Sequence, residues 1–457
     1  MRDWDEEACM QRHTAVEALQ QVLRSYGYAW IDTPFLERTD LFLRKSGAEL
    51  ITRLYSFTEP GGQVVALRPE FTTAVMRRFL EVRSGLPLPV RWHYVGPVFR
   101  FDPSPHALRQ FTQVGAEMIG ASGSRADAEL LALTQECILA LKGTGFVLTV
   151  GHRGCLDRLL APFGLSSRAQ ALLLRGIPLL RSGEHGPQRL LEQAHSLALF
   201  RGAGPPADLE ALVSTLNGGV DSPSPGDKEA VSPLFGGRTR EEILARLARK
   251  LHALDEPPRF QKAVHFLTDL ARLRGEPHQV LAEAYALARH WNLDPAPLVE
   301  VEALLDTLTL HRSPGMPLLL DLALVRDIAY YTGMVFEVVH TPTGQVVAGG
   351  GRYDGLVSAL GLGEDVPALG FALSLERLME VSPSVAPRRS PRRVLVAPAD
   401  ADAYPDALRI AEALRFGGDA VAVAFAPLSP AERQGWAQQG HAIVVVHKGG
   451  SCDYFWP

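Results

Sequence analysis

One stretch constrains this chain more than any other: Tyr94 to Gly120, which reads YVGPVFRFDPSPHALRQFTQVGAEMIG. Two β-like runs flank a polar, proline-containing loop, a pattern that predicts paired strands rather than a helix. The first run carries Arg100 and Asp102, and the second carries Arg109, Phe111, Gln113 and Glu117. Side chains alternate along a strand, so Arg100 shares a face with Asp102, and Phe111 with Gln113 and Glu117. Arginine, an aromatic ring and acidic groups on one concave sheet suit a phosphate, a base and an ammonium. A plainer reading competes: solvated strand faces with structural ion pairs, which alternation alone favours.

The surroundings agree with a sheet. From Glu6 to about Tyr26, Ala15, Leu19, Val22 and Leu23 recur at helical spacing, and Gly27 follows as a stop. Further β-like stretches run Tyr28 to Pro34, Arg53 to Phe57, Val64 to Arg68, Arg91 to Phe101 and Phe111 to Ile119, with Glu59-Pro60-Gly61-Gly62 as a turn. Short strands joined by tight turns predict an antiparallel sheet. Residues 151–317 change character: LEALVSTL and EEILARLARKLHAL have helical spacing, broken by a Pro/Gly/Ser-rich run from Gly218 to Gly237. The β pattern resumes at Leu318 and ends in a helix-like stretch, Ser374 to Met379.

The expected organisation is therefore α+β: a core in two parts, residues 1–150 and 318–382, interrupted by a mainly helical insertion at 151–317. A Pro/Arg/Ser-rich linker covers 383–391. Residues 392–457 alternate strand and helix, as a small, largely parallel α/β domain does. That domain reads as cut short after AIVVVH.

Composition excludes little but directs the search. A net charge of −5 offers no basic excess of the kind a dedicated nucleic-acid binder shows. Cys9, Cys137, Cys155 and Cys452 are scattered, without a metal-ligand pattern, and predict reduced thiols. The acidic N-terminus has no signal-peptide core, and no apolar run approaches the roughly 18 residues of a membrane span. A soluble, cytoplasmic protein is expected.

With these blocks in view, the chain resembles the class II aminoacyl-tRNA synthetases in their histidyl form. Tyr94 to Gly120 looks like motif 2. Leu67 to Thr73 (LRPEFTT) resembles the family's LRPEGT, and Leu324 to Glu337 (LVRDIAYYTGMVFE) its histidine-specific block. AGGGRYDGL follows from Ala348, and GFALSLERL, Gly370 to Leu378, resembles motif 3. Thr33 to Phe42 matches the motif 1 neighbourhood, a dimer interface in the family. The ordered set spans almost all of residues 1–380.

The resemblance implies a histidine pocket. Glu70, Thr72 and Gln113 would hold the ammonium, Glu117 and Tyr331 the imidazole, and Arg326 the carboxylate, with Tyr330 as a wall. It also implies an ATP site, with Arg100 at the α-phosphate, Asp102 near the adenine amino group, Phe111 on adenine and Arg377 at the γ-phosphate. Gly349, Gly350 and Gly351 would allow close backbone approach. No metal ligands are implied in the chain itself.

Two family members lead, with another adenylating paralogue as a third alternative. One is the regulatory subunit of ATP phosphoribosyltransferase, which keeps the fold, senses histidine, needs no cofactor and joins a short catalytic subunit in a hetero-oligomer. The other is an active histidine–tRNA ligase, which would use ATP and Mg, bind tRNA, and rely on Arg326 and Arg100 for catalysis. The loop Asp102-Pro-Ser-Pro-His-Ala-Leu-Arg109 is about one residue shorter than the synthetase loop and lacks its inner arginine. His106 is a poor substitute cation at neutral pH. Asp102 is a shortened acidic residue, Phe71 replaces a glycine and Ala329 an aspartate, while the tail reads as a reduced anticodon-binding domain. These departures favour the regulatory subunit; the retained Arg100, Arg326 and Arg377 keep the ligase open.

Overall fold

The helix expected near the N-terminus runs Glu6–Ser25 in the computed structural model of the chain, which describes residues 3–43, 48–104, 107–183, 185–200, 255–311, 315–326, 330–362, 364–382 and 392–456. Asp5 caps it by accepting the Ala8 N–H at 2.8 Å. Ala15, Leu19 and Leu23 are buried on one side. Gly27 ends it at φ +81°, where a Cβ would also lie 2.7 Å from Ala422, so no larger residue fits.

A nine-stranded sheet carries the fold. Its spatial order is Ala29–Trp30, Val90–Phe99, Gln110–Ile119, Ala368–Ser374, Gln345–Arg352, Met334–His340, Phe146–His152, Leu318–Asp321 and Arg274–Gly275. Neighbours are antiparallel except at two places: Ala29–Trp30 beside Val90–Phe99, and Phe146–His152 beside Leu318–Asp321. Helices packed on a largely antiparallel sheet make the class α+β.

Alternation along Gln110–Ile119 separates two environments. Val114, Ala116 and Met118 join the main core with Leu130, Leu133 and Ile138 of the helix Ser124–Ala140 and Leu304 of the helix Ala296–Thr309. Each valine, leucine, isoleucine or methionine among them contributes about 1.5–3 kcal/mol by leaving water. Gln113, Gly115 and Glu117 take the other face. There Phe71, Val75 and Phe79, at and within the helix Thr72–Val82, pack with Tyr94, Val98 and Tyr353.

Several elements differ from the sequence reading. The first motif strand ends at Phe99, not Phe101, so Arg100 and Asp102 lie in the loop and share no strand face. Asp102 precedes Pro103, which has no N–H for a ladder. Of Tyr28 to Pro34 only Ala29–Trp30 is strand, and of Arg53 to Phe57 only the end, because Ser56–Thr58 pairs with Val64–Leu67. Leu36–Arg38 completes that separate three-stranded sheet. Ala329, His106, the linker 383–391 and the stretch 201–254, with its two helical patterns and its Pro/Gly/Ser-rich break, lie outside the described residues.

The chain forms two compact units, Met1–Leu156 with Arg274–Tyr285 and Pro295–Pro457, and Asp157–Leu273 with Ala286–Asp294. The second falls inside the 151–317 span. It is helical in its described parts, with Phe163, Phe266 and Trp291 in mutual ring contact and Ser166 donating to Asp255 at 2.6 Å.

Within the first unit, residues 392–456 build a four-stranded sheet ordered Ala420–Val423, Arg393–Pro398, Ala442–Val446 and Cys452–Phe455. The first three strands are parallel, as expected. The fourth, absent from the sequence reading, runs antiparallel after a turn in which Gly449 and Gly450 both take positive φ. Arg91 of the large sheet fixes this domain: it pairs with buried Glu129 at 3.2 Å and donates to Val423 O at 2.8 Å. Among the described residues no helix is long and apolar enough to cross a membrane.

Candidate functional site

The strands Val90–Phe99 and Gln110–Ile119 pair in continuous register, Phe99 opposite Gln110, so the intervening loop projects from one end of the sheet. Beneath that loop lies a cavity of about 420 Å³, within the size range of small-molecule sites. Its lining includes Glu70, Thr72, Gln113, Arg326, Tyr330 and Tyr331 from the expected histidine set, and Arg100, Asp102, Phe111 and Arg377 from the expected ATP set.

Glu117 is the exception. It is fully buried behind the wall, where its carboxylate accepts hydroxyls from Thr72 at 2.7 Å, Tyr94 at 3.0 Å and Tyr353. Burial pushes its carboxyl up to about 8, against the three hydroxyls that favour the ionised form. Thr72 and Tyr353 line the cavity themselves, so Glu117 reaches it through them. Direct contact with an imidazole requires one hydroxyl to give way. Gly370 makes the arrangement possible, since a Cβ there would fall 1.6 Å from Glu117 Oε2.

Glu70 accepts the Thr73 N–H at 3.1 Å and the Thr73 hydroxyl, which anchors it at the start of the helix Thr72–Val82. Gln113 is 5% exposed, and its Oε1 is buried without a partner. Arg326 donates to Phe336 O at 3.2 Å while its Nε is likewise unpartnered. A buried donor or acceptor without a partner is costly, which suits a site whose ligand completes it. Tyr330 packs edge-on against Tyr331 and Tyr353. Burial raises Tyr331 to about 12, opposed by Arg326, so its phenol stays protonated.

Phe71 does not intrude on this end. It stacks on Tyr94 with ring centroids 4.3 Å apart, beneath the Arg68 guanidinium at 3.7 Å. Gly96 leaves the space, because a Cβ there would meet Arg68 at 2.5 Å and Phe71 at 2.9 Å.

At the other end Arg100 donates to Pro69 O at 2.8 Å and stands over the Phe111 ring at 5.3 Å. Its burial lowers its pKa, opposed by Glu70 and assisted by Arg326 and Arg53. Arg377 donates to Val346 O at 3.1 Å. Polar lining residues to which the sequence reading gave no role include Arg53, Tyr353 and Ser374. Arg53, Arg100, Arg326 and Arg377 outnumber the lining carboxylates Glu70 and Asp102, so this cavity favours anionic groups. That donor set fits a polyphosphate. Among the described residues no cluster of His, Cys, Asp and Glu could hold a metal ion.

A family model described as histidyl-tRNA synthetase matches residues 1–178 and 233–378. A histidine–tRNA ligase of Pyrobaculum calidifontis is 30% identical over 419 residues, 92% of this chain and 82% of that protein. The ligase of Pyrobaculum arsenaticum is 29% identical over 424 residues, 93% of this chain and 84% of its own. A solved structure described as an ATP phosphoribosyltransferase regulatory subunit/histidyl-tRNA synthetase from Bacillus halodurans has the same fold, with a TM-score of 0.57 and 20% identity. It covers 98% of this chain and 96% of that one.

Proposed function

We propose that this chain, which belongs to the histidyl-tRNA synthetase family, acts within it as a histidine-sensing regulatory subunit of ATP phosphoribosyltransferase. One observation carries the reading: the residues expected to hold histidine, Glu117 apart, line one cavity, while the loop above its other end bonds to itself. Asp102 accepts the Ser104 N–H at 2.9 Å, and Arg109 donates to Asp102 O at 3.1 Å and lies over Phe101 at 5.6 Å. Arg109 is the only arginine between Asp102 and Arg109, so the loop brings no guanidinium to a leaving pyrophosphate. A cation missing from that position removes several kcal/mol of transition-state stabilisation, on the order of the 3–4 kcal/mol of a lost oxyanion donor.

In this reading Gln113, Glu70 and Thr72 hold the histidine ammonium, Arg326 the carboxylate, and Tyr331 with the Glu117 hydroxyl network the imidazole. No cofactor is needed. Occupancy biases an assembly with a short catalytic subunit, by no more than the difference in histidine affinity between its two states. The four arginines, and relatives named as ligases, favour a second reading: an active histidine–tRNA ligase that takes ATP and Mg and charges tRNA, with Arg100 and Arg326 on the α-phosphate.

Histidine-dependent pyrophosphate exchange separates the two. The regulatory reading expects exchange at background, together with histidine inhibition of a short catalytic ATP phosphoribosyltransferase mixed with this chain. Robust exchange would replace it with the ligase, and a catalytic subunit indifferent to the chain would remove it.

A further inference from the structure

Ser374 stands at the junction of the strand Ala368–Ser374 and the helix Leu375–Glu380, in the position from which a serine ordinarily caps a helix. A capping serine accepts an N–H of the first turn. This one makes no cap bond. Its Oγ is instead buried without a partner, in the wall of the cavity already described.

The facing residue is Gln113. The two are Cα partners across antiparallel strands, so their side chains leave the sheet on the same side, with Cβ atoms about 4.5–5.5 Å apart. Gln113 Oε1 is also buried and unpartnered. Two adjacent oxygens without partners, one an acceptor and one able to accept or donate, therefore stand at one cavity. Glu70 on the same cavity supplies negative charge.

We infer that the Ser374 hydroxyl, side by side with the Gln113 amide oxygen, is a binding group for a primary ammonium on the ligand. An ammonium offers three N–H donors to its surroundings, enough for Oγ, Oε1 and a carboxylate oxygen together. A ligand hydroxyl could bridge the pair by accepting from Oγ and donating to Oε1, but it brings no positive charge to Glu70. The unpartnered Arg326 Nε, a donor, takes the opposite group, a carboxylate. The pattern selects an α-amino acid over its deaminated analogue, and Ser374 is a specificity residue rather than a helix cap.

The inference rests on the amino-acid reading of the cavity, and the experiment separates the two. Calorimetry on the full chain compares wild type with Ser374→Ala, using histidine and imidazole-4-propionate, which keeps the carboxylate and ring but lacks the ammonium. Histidine affinity is expected to fall roughly tenfold, the effect of one hydrogen bond to a charged group. Imidazole-4-propionate should bind both proteins equally weakly or not at all. The ligand-free melting temperature should stay the same or rise, because no cap bond is lost.

Unchanged histidine affinity in Ser374→Ala would overturn the inference and leave the histidine reading standing. An equal loss for both ligands, or a lower ligand-free melting temperature, would show a structural hydroxyl and overturn it too. A wild-type chain that binds no histidine at millimolar concentration, alone or with the catalytic subunit, would remove the reading and the inference together.

Discussion

The Arg326 guanidinium lies against Gly349, so close that a Cβ on Gly349 would come within 1.8 Å of Arg326 Nη1. The absence of a side chain on the strand Gln345–Arg352 is thus what lets a loop arginine reach the cavity wall. Gly349→Ala should displace the guanidinium, a flexible group, without breaking the sheet. Losing a charge-assisted contact to the ligand carboxylate should weaken histidine binding by roughly 10- to 100-fold. Calorimetry checks the affinity and a thermal melt the fold; full affinity would show that Arg326 does not meet the ligand.

Glu117 predicts a pH dependence of stability. Its carboxyl titrates near 8 in the folded chain, against an ordinary value of 4.5. The folded state holds this proton more tightly, so the stabilisation is fully present below about pH 4.5 and is lost as pH rises toward 8. Glu117→Gln keeps the shape without the titration. Its melting temperature relative to wild type should therefore increase between pH 5 and pH 8, and parallel profiles would contradict the assignment.

The part of the site readable from sequence is the part that obeys local periodicity. Phe111, Gln113 and Glu117 sit on a regular strand, so alternation places them together. Arg100 and Asp102 do not, because the strand ends at Phe99 and its last bond to the neighbour, Arg100 N–H to Arg109 O, comes before Pro103. Tyr353 is bonded to Glu117 across 236 positions, and no local pattern reports such a contact. Ser374 is hidden differently: a serine before a helix reads as a cap, and only the structure shows its hydroxyl turned elsewhere. The two-residue strand Ala29–Trp30 is too short for any periodicity, so the parallel edge of an otherwise antiparallel neighbourhood was not legible.

The small C-terminal domain should not be separable from the core. Arg91 and Glu129 are 5% and 1% exposed, and Arg91 also holds the carbonyl of Val423. Arg91→Ala leaves a buried carboxylate without its partner, which typically costs about 3–5 kcal/mol. Urea unfolding should show a loss of that order. Arg91→Met combined with Glu129→Leu should recover most of it, because the uncompensated charge is gone. A single variant as stable as wild type would show that the pair does not anchor the domain.

The last prediction concerns the three-stranded sheet of Leu36–Arg38, Val64–Leu67 and Ser56–Thr58. Leu36 and Phe57 are 46% and 47% exposed on one face of this sheet, with Phe35 just before Leu36 at 48%, while Val64 is 53% exposed on the other face. Phe42, from the same motif neighbourhood, is instead buried within the chain at 1% and gives no help to an interface. Clustered apolar groups facing water are stabilised by cover, and a surface that pairs with itself about a two-fold axis is the simplest cover available. We therefore expect a homodimer, with a scattering mass near 100 kDa from two chains of 49.8 kDa. Phe57→Asp should place a charge in the buried patch and shift the chain toward monomer at micromolar concentration, with the melting temperature of the monomer nearly unchanged because Phe57 supports little inside it. A wild-type monomer by light scattering would refute the dimer. A Phe57→Asp chain still at twice the monomer mass would move the interface to another surface.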